Sequence, residues 1–325
     1  MYDWFNKTKP IFKEDVFLKF YINFERQELI KRIEKRIKKM IKKIGFVGLG
    51  DMGKPIASNL KNRVINLMVY DIAGTKDRAP KDTITANSLT TLIEYADIIF
   101  MSIPDAESSM NIIDEVLKRN RNSSKVIINL STIGVTETQN ILNVLDTTPI
   151  TYIDAPVSGG KTGAINASIT VMWSGSKTVL EELEPYLHGF AKSIIFIGKK
   201  PGQGQVMKLL NNFLSAVAMS ATSEAILLGL KNNLDMKTML EVLNVSTGKN
   251  SASLDKFPNR IATNTFDAGF RMSLMNKDLE LYINDAVKNN IPKDIATVVK
   301  NYFQSGMDSF PEGDFTEIYK IIKDK

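Results

Sequence analysis

From Lys43 onward the chain alternates short, almost wholly apolar runs with longer amphipathic stretches. The runs are IGFVG at 44–48, NLMVYD at 66–71, DIIFMS at 97–102 and KVIINL at 125–130, followed by others at 150–154, 168–173 and 193–197. Strands apolar on both faces need cover on both faces, and the first intervening segments, of about 15 to 25 residues, are long enough for crossover helices. The pattern therefore predicts an α/β fold with a doubly wound parallel sheet. After Gly204 the period changes: Val206 to Leu230 places Leu209, Leu210, Phe213, Val217, Ile226 and Leu227 among small residues with no turn signal, which predicts one long helix. The remainder reads as helical, with breaks expected around 246–253 and at Pro258, Pro292 and Pro311. Three segments result: an extension over 1–42, a sheet domain over 43–200, and an all-α domain over 201–325 that begins with the long interdomain helix.

Within the extension, Leu29, Ile30, Ile33, Ile37, Met40 and Ile41 recur at three- and four-residue spacing with lysine and arginine between them, predicting a basic amphipathic helix over 26–42. Such a helix can dock on the body, meet a partner, lie on a membrane surface or be sequence upstream of the true start. No uninterrupted apolar stretch approaches the roughly 18 to 20 residues of a membrane helix, and no N-terminal apolar region is followed by a small-residue cleavage site. The expectation is a cytoplasmic protein with no integral membrane segment.

Composition narrows the chemistry. Cysteine is absent and His188 is the only histidine, so thiolate nucleophiles, disulfides and cysteine zinc sites are excluded, and no metal is expected. The net charge of +6 is concentrated at the start: residues 1–43 hold 13 Lys and Arg against 6 Asp and Glu, which leaves 29 against 30 in the rest. A nearly neutral body lacks the clustered cationic footprint that nucleic acid requires.

The first motif that carries chemistry is Gly48-Leu49-Gly50-Asp51-Met52-Gly53, a G-x-G-x-x-G between an apolar strand and a helical stretch. In that context the first glycine permits a tight turn, the second lets backbone approach a pyrophosphate, and the third allows close helix packing, while the helix N-terminus offers N–H groups to the anion. Such a triplet also arises by accident. Asp71, 18 residues after Gly53 at the end of the second strand, makes accident a poor account, because a carboxylate there can accept from both hydroxyls of an adenine ribose. A turn or capping aspartate is the plainer alternative for Asp71 alone. The same carboxylate would repel a 2′-phosphate, and Ile72, Ala73, Gly74 and Thr75 supply no arginine, so the expected cofactor is NAD in a Rossmann-type domain.

Four motifs, IGFVGLGDMGKPIASNL at 44–60, DAPVSGGKTGA at 154–164, GQGQVMKLLNN at 202–212 and FRMSLMNKDLEL at 270–281, resemble those of the β-hydroxyacid dehydrogenase family. That family includes 3-hydroxyisobutyrate dehydrogenase and tartronate semialdehyde reductase. The resemblance runs from Lys43 nearly to the C-terminus, in order and at about the family's spacing, and says nothing of residues 1–39. It implies hydride transfer between NAD and a small 3-hydroxy acid, or the corresponding semialdehyde, with Lys208 moving the hydroxyl proton and Asn212 assisting. Lys208 and Asn212 stand four apart on the predicted long helix, so an amine and an amide could converge on one oxygen. A lone helical lysine is ordinarily a solvated charge; here the surrounding motif argues otherwise. The resemblance further assigns Ser158, Gly159 and Gly160 to the substrate carboxylate, and Ile103, Pro104, Ser108, Thr132 and Lys277 to the cofactor. By spacing alone, 158–160 is an ordinary serine-glycine turn. A homo-oligomer is also expected.

The chain departs from the family in places. Ala167 and Ser168 stand where the family has glycine and threonine. Related 6-phosphogluconate dehydrogenases have a glutamic acid seven residues beyond the lysine, where this chain has Ser215, which argues against oxidative decarboxylation. Imine reductases on the same scaffold generally lack the lysine. The rival from another class is a dinucleotide-binding regulatory or interaction protein without turnover, since a fold alone does not establish activity.

Overall fold

The structure, a computed structural model, describes residues 42–325; the helix expected over 26–42 lies outside them but for Lys42. The apolar runs form β1 (Ile44–Val47), β2 (Leu67–Tyr70), β4 (Ile98–Met101), β5 (Val126–Asn129), β6 (Thr151–Asp154), β8 (Ile169–Ser174) and β9 (Ala191–Gly198), and two-residue strands β3 (Ile84–Thr85) and β7 (Val157–Ser158) join them. The spatial order is β3-β2-β1-β4-β5-β6-β8-β7, with β9 on β8. Ile44 of β1 pairs in parallel with Leu67 on one side and Ile98 on the other. The strand order therefore reverses at β1 and β4, and their carboxyl ends diverge into a crevice, the usual ligand position in such sheets.

The parallel ladder runs as far as β6. There the chain turns back, and β8 pairs antiparallel with β6 and β7 while running parallel to β9. This reversal was invisible in the periodicity, since a covered antiparallel strand is as apolar as a parallel one. Helices α1 (Gly53–Lys61), α2 (Thr75–Arg78), α3 (Leu89–Tyr95), α4 (Ala106–Asn120), α5 (Val135–Leu145), α6 (Gly160–Ile165) and α7 (Lys177–Leu187) connect the strands. One core packs around Phe46, Phe100, Trp173 and Phe190, and a second packs around Ile99, Ile113 and Ile127. Phe46 and Ile99, on neighbouring strands, belong to different cores, which shows the sheet covered on both faces.

The long helix α8 spans Gln203–Lys231 and leads into α9 (Met236–Val245), α10 (Met272–Lys288), α11 (Asp294–Ser309) and α12 (Ile318–Lys323). Met219, Ile226, Phe257, Met272, Phe303 and Ile318 form the core of this helical half. Among the described residues α8 alone is long and apolar enough to cross a membrane, but its Met219 and Ile226 are packed into this protein core. Pro292 and Pro311 fall between helices as expected, whereas Pro258 sits inside a ten-residue π-helical segment, Ala252–Ile261. The wider i→i+5 pattern would direct the N–H of residue 258, absent in proline, to the carbonyl of Ser253. Asn244 Nδ2 donates to that carbonyl instead, at 3.0 Å.

Candidate active site

A cavity of about 560 Å³ opens at the β1/β4 crevice and extends to the faces of α8 and α10. Its floor at one end is the glycine turn. Gly48 has φ +91, and a Cβ there would lie 2.2 Å from the Ser102 carbonyl oxygen, while one on Gly53 would lie 1.9 Å from the Gly48 carbonyl oxygen. Gly50 differs: a Cβ there would meet no protein atom within 4 Å. Two glycines thus close the turn and the third leaves free space over the backbone. Helix α1 starts at this point with neither a side-chain cap nor an acid in its first turn, so its N–H groups suit an incoming anion. These features fit a dinucleotide diphosphate.

Gly48, Gly50, Asp51, Met52 and Gly53 all line the cavity. Leu49 does not: its side chain is in the core and its N–H donates to Asp71 Oδ2 at 2.6 Å. Asp71 also accepts from Ala73 N–H at 2.8 Å, so it caps its own turn. It nevertheless lines the cavity, and a carboxylate with about four acceptor sites has room left for a ribose. No arginine stands among the four residues after Asp71, but one follows shortly beyond them. Arg78, at the end of α2, places Nε 3.8 Å from Asp71 Oδ1 and lines the cavity as well.

Along the wall, Ile103, Pro104, Ser108 and Thr132 all reach the cavity. Ile103 N–H donates to Ser131 Oγ at 2.9 Å, and Ser108 N–H donates to Asp105 Oδ1 at 2.7 Å, which caps α4. Lys277 Nζ donates to the Thr132 carbonyl and lies 3.0 Å from Asp278 Oδ1, tying α10 to the loop after β5.

Lys208 lines the far end and is only 7% exposed. Its Nζ stands 5.9 Å from the centroid of the Phe270 ring. Burial pushes the amine below its ordinary value; Asp278 opposes the shift and Lys277 adds to it. A buried lysine of lowered pKa beside an open cavity is suited to proton transfer.

Asn212 is placed differently from the expected donor to the reacting oxygen. Its Nδ2 donates to Asp278 Oδ2 at 2.6 Å and its Oδ1 accepts from Asn211, and it is not on the cavity wall. It supports Asp278, which does line the wall. Of the glycine-serine segment, Gly160 reaches the cavity with Val157, while Ser158 and Gly159 do not. Ser158 is paired with Thr170 in the β7/β8 ladder, and side chains alternate along a strand, so Val157 takes the inward position.

Phe270, Arg271 and Asp278 also line the cavity; all three lie in the FRMSLMNKDLEL motif, in which the resemblance alone assigns a role only to Lys277. Arg271 bonds Asp51 Oδ2 at 2.9 Å and Lys161 bonds Asp51 Oδ1 at 3.0 Å, a contact across the cavity mouth that only the fold brings together.

Comparison with known proteins agrees with this geometry. Residues 43–198 match the family model described as the NAD binding domain of 6-phosphogluconate dehydrogenase, and 202–322 match that described as NAD-binding of NADP-dependent 3-hydroxyisobutyrate dehydrogenase. A 2-(hydroxymethyl)glutarate dehydrogenase of Eubacterium barkeri is 33% identical over 81% of this chain and 89% of its own. A 3-hydroxyisobutyrate dehydrogenase of Pseudomonas aeruginosa is 30% identical over 87% of this chain and 99% of its own. The structure of a Mycobacterium tuberculosis 3-hydroxyisobutyrate dehydrogenase with L-serine superposes with a TM-score of 0.79 at 26% identity, covering 87% of this chain and 99% of that one. With the glycine turn, Asp71 and Lys208 arranged around one cavity, the chain belongs to the β-hydroxyacid dehydrogenase family.

Proposed function

We propose that this chain is an NAD-dependent oxidoreductase of small 3-hydroxy acids or their semialdehydes, with Lys208 as general acid and base. When bound, NAD supplies the hydride acceptor at its nicotinamide ring. The observation that carries the reading is that the buried, pKa-lowered Lys208 shares one cavity with the glycine turn. In oxidation the neutral Lys208 amine takes the substrate hydroxyl proton; in reduction the ammonium returns it to the forming alkoxide. The Phe270 ring, 5.9 Å from Lys208 Nζ, provides an apolar wall beside the amine. Gly160, with φ +62, offers the backbone approach suited to a carboxylate, and Asp71 holds the ribose. The relatives named above act on 3-hydroxyisobutyrate and 2-(hydroxymethyl)glutarate, and these acids define the substrate class we assign.

The test is to follow reduced-nicotinamide absorbance with NAD and a panel of such acids, and with NADH and semialdehydes. Turnover in the wild type that is lost in Lys208→Ala supports the reading, and binding of NADH without turnover of any member refutes it. The same proposal takes the protein to be a cytoplasmic homo-oligomer. Val206, Leu210, Leu214 and Leu228 are exposed along one side of α8, an apolar stripe suited to a second copy, and light scattering in solution decides its subunit number.

A further inference from the structure

We infer that Asp154 and Gln205 are positioning residues for this reaction: they fasten the N-terminus of α8 to the carboxyl ends of β5, β6 and β8 and so fix where Lys208 stands. The inference rests on the proposed role of Lys208.

Helix α8 begins after Gly202, whose φ of +100 suits a glycine and which has no side chain to cap with. The helix's unpaired N–H groups are met from outside. Asp154, at the end of β6 and fully buried, accepts through Oδ2 from Gly202 N–H at 3.0 Å, Gln205 N–H at 2.9 Å and Ser174 Oγ at 3.0 Å. Ser174, at the end of β8, in turn accepts from Gly204 N–H at 2.9 Å. Four donors converge on the two Asp154 oxygens, the setting of a carboxylate facing a helix N-terminus, and they oppose the burial that leaves its carboxyl raised to about 6.

Gln205 completes the anchor. Its Oε1 accepts from Ile133 and Gly134 N–H, both at 2.9 Å, and its Nε2 donates to the Ser131 carbonyl at 3.0 Å and to Asp154 Oδ1. All four hydrogen-bonding positions of the amide are used. The loop it grips, 131–134, contains Thr132, which lines the cavity and receives Lys277. Lys208 lies three residues beyond Gln205, one turn along the same face. The network also has a direction. Because Asp154 presents only acceptors to Gln205, the glutamine amide is oriented with its oxygen toward Ile133 and Gly134. An asparagine at 154 can turn an NH₂ toward Nε2, and the glutamine cannot flip without setting its own NH₂ against two backbone N–H groups.

Asp154→Asn tests this. Misplacement by about 1 Å can cost on the order of a hundredfold, so kcat should fall between about tenfold and a hundredfold while NADH affinity stays within about threefold. Amide exchange at Ile133, Gly134 and Gln205 should quicken in this variant, with β1 and β4 unchanged. A variant with kcat within twofold of wild type overturns the inference. So does a fall in kcat matched by equal losses of NADH binding and melting temperature. If the wild type turns over no substrate, the dehydrogenase reading has failed, and the exchange arm still decides the anchor: unchanged exchange overturns it.

Discussion

The two ends of the cavity are built in opposite ways. At the glycine turn the surface is largely backbone, shaped by three glycines and the uncapped start of α1, and the Asp71 side chain beside it is held by Leu49 and Ala73 N–H groups. At the other end the surface is side chain, contributed by two helices of the α-helical half: Lys208 from α8, and Lys277 and Asp278 from α10. Backbone recognition is indifferent to most substitutions and intolerant of any bulk at Gly48 or Gly53. Side-chain chemistry is the reverse, since one atom can be removed without disturbing the cradle. Binding and turnover should therefore fail separately.

The largest effect expected is that of Lys208→Ala. General acid–base catalysis supplies roughly 100- to 10,000-fold, so kcat should fall at least that far, with NADH affinity by fluorescence titration nearly unchanged. Lys208→Arg should give no rescue, because a guanidinium keeps its proton. Retention of more than about a tenth of kcat with normal NADH binding would mean that the proton is moved by another group.

Gly53→Ala probes the opposite end. A methyl group there would overlap the Gly48 carbonyl, and something in the turn must move. NADH affinity should drop at least about tenfold, and unchanged affinity would show the turn to be more plastic than its contacts imply.

Asp71→Ala should narrow the preference for NAD over NADP by about tenfold or more, since it removes a repulsive charge and leaves Arg78 to face a 2′-phosphate. Adding Arg78→Ala should give back most of that gain. Wild-type kcat/KM greater with NADP than with NAD would contradict the assignment of Asp71.

A smaller effect separates the charges around Lys208. For oxidation, kcat/KM should rise with pH as Lys208 loses its proton, at a midpoint below the ordinary 10.5. Asp278 raises that midpoint, so Asp278→Asn should move the limb to lower pH; Lys277 lowers it, so Lys277→Gln should move it to higher pH. Shifts in the opposite sense would show that the limb belongs to another group.

The smallest effect is one of stability. Ala167 adopts φ +53, a left-handed conformation that costs an L-residue roughly 1–2 kcal/mol and glycine little. Glycine at this position also enlarges the conformational freedom of the unfolded chain, which offsets part of the gain. Ala167→Gly should therefore stabilise by about 1 kcal/mol, visible as a higher denaturant midpoint, with NADH affinity unchanged.

How legible each end was in the sequence follows from the same contrast. Glycines that permit a turn are local, so the cradle around Gly48, Gly50 and Gly53 could be placed by strand, spacing and helix alone, and Asp71 by its distance from them. Arg78 approaches Asp71 only because Gly74, with φ +114, turns the chain into α2. Asp278 and Asn212 are 66 residues apart and meet across two helices, a contact that no periodicity reports. For that reason helical spacing places Asn212 on the face of Lys208 but does not show that its amide supports the Asp278 carboxylate. The resemblance that assigns Ser158 to the substrate carboxylate does not say which face of the two-residue strand β7 looks inward, and there Val157 takes the cavity side. The strands were readable because burial on both sides leaves apolar runs, and the same runs concealed the reversal at β8.

The length of α8 has a mechanical consequence. At about 1.5 Å per residue, its 29 residues make a rod of about 44 Å, pinned at the Gln205 end and embedded in the helical core for much of the rest. Lys208 sits about 8 Å from the pinned start. A repacking around Ile226 that tilted the rod by about 5° would swing its free end by about 4 Å yet shift Lys208 by well under 1 Å, taking the same helical rise. The amine proposed to move the proton is thus placed near the fulcrum, where sequence drift and thermal motion in the helical half have the least leverage over it.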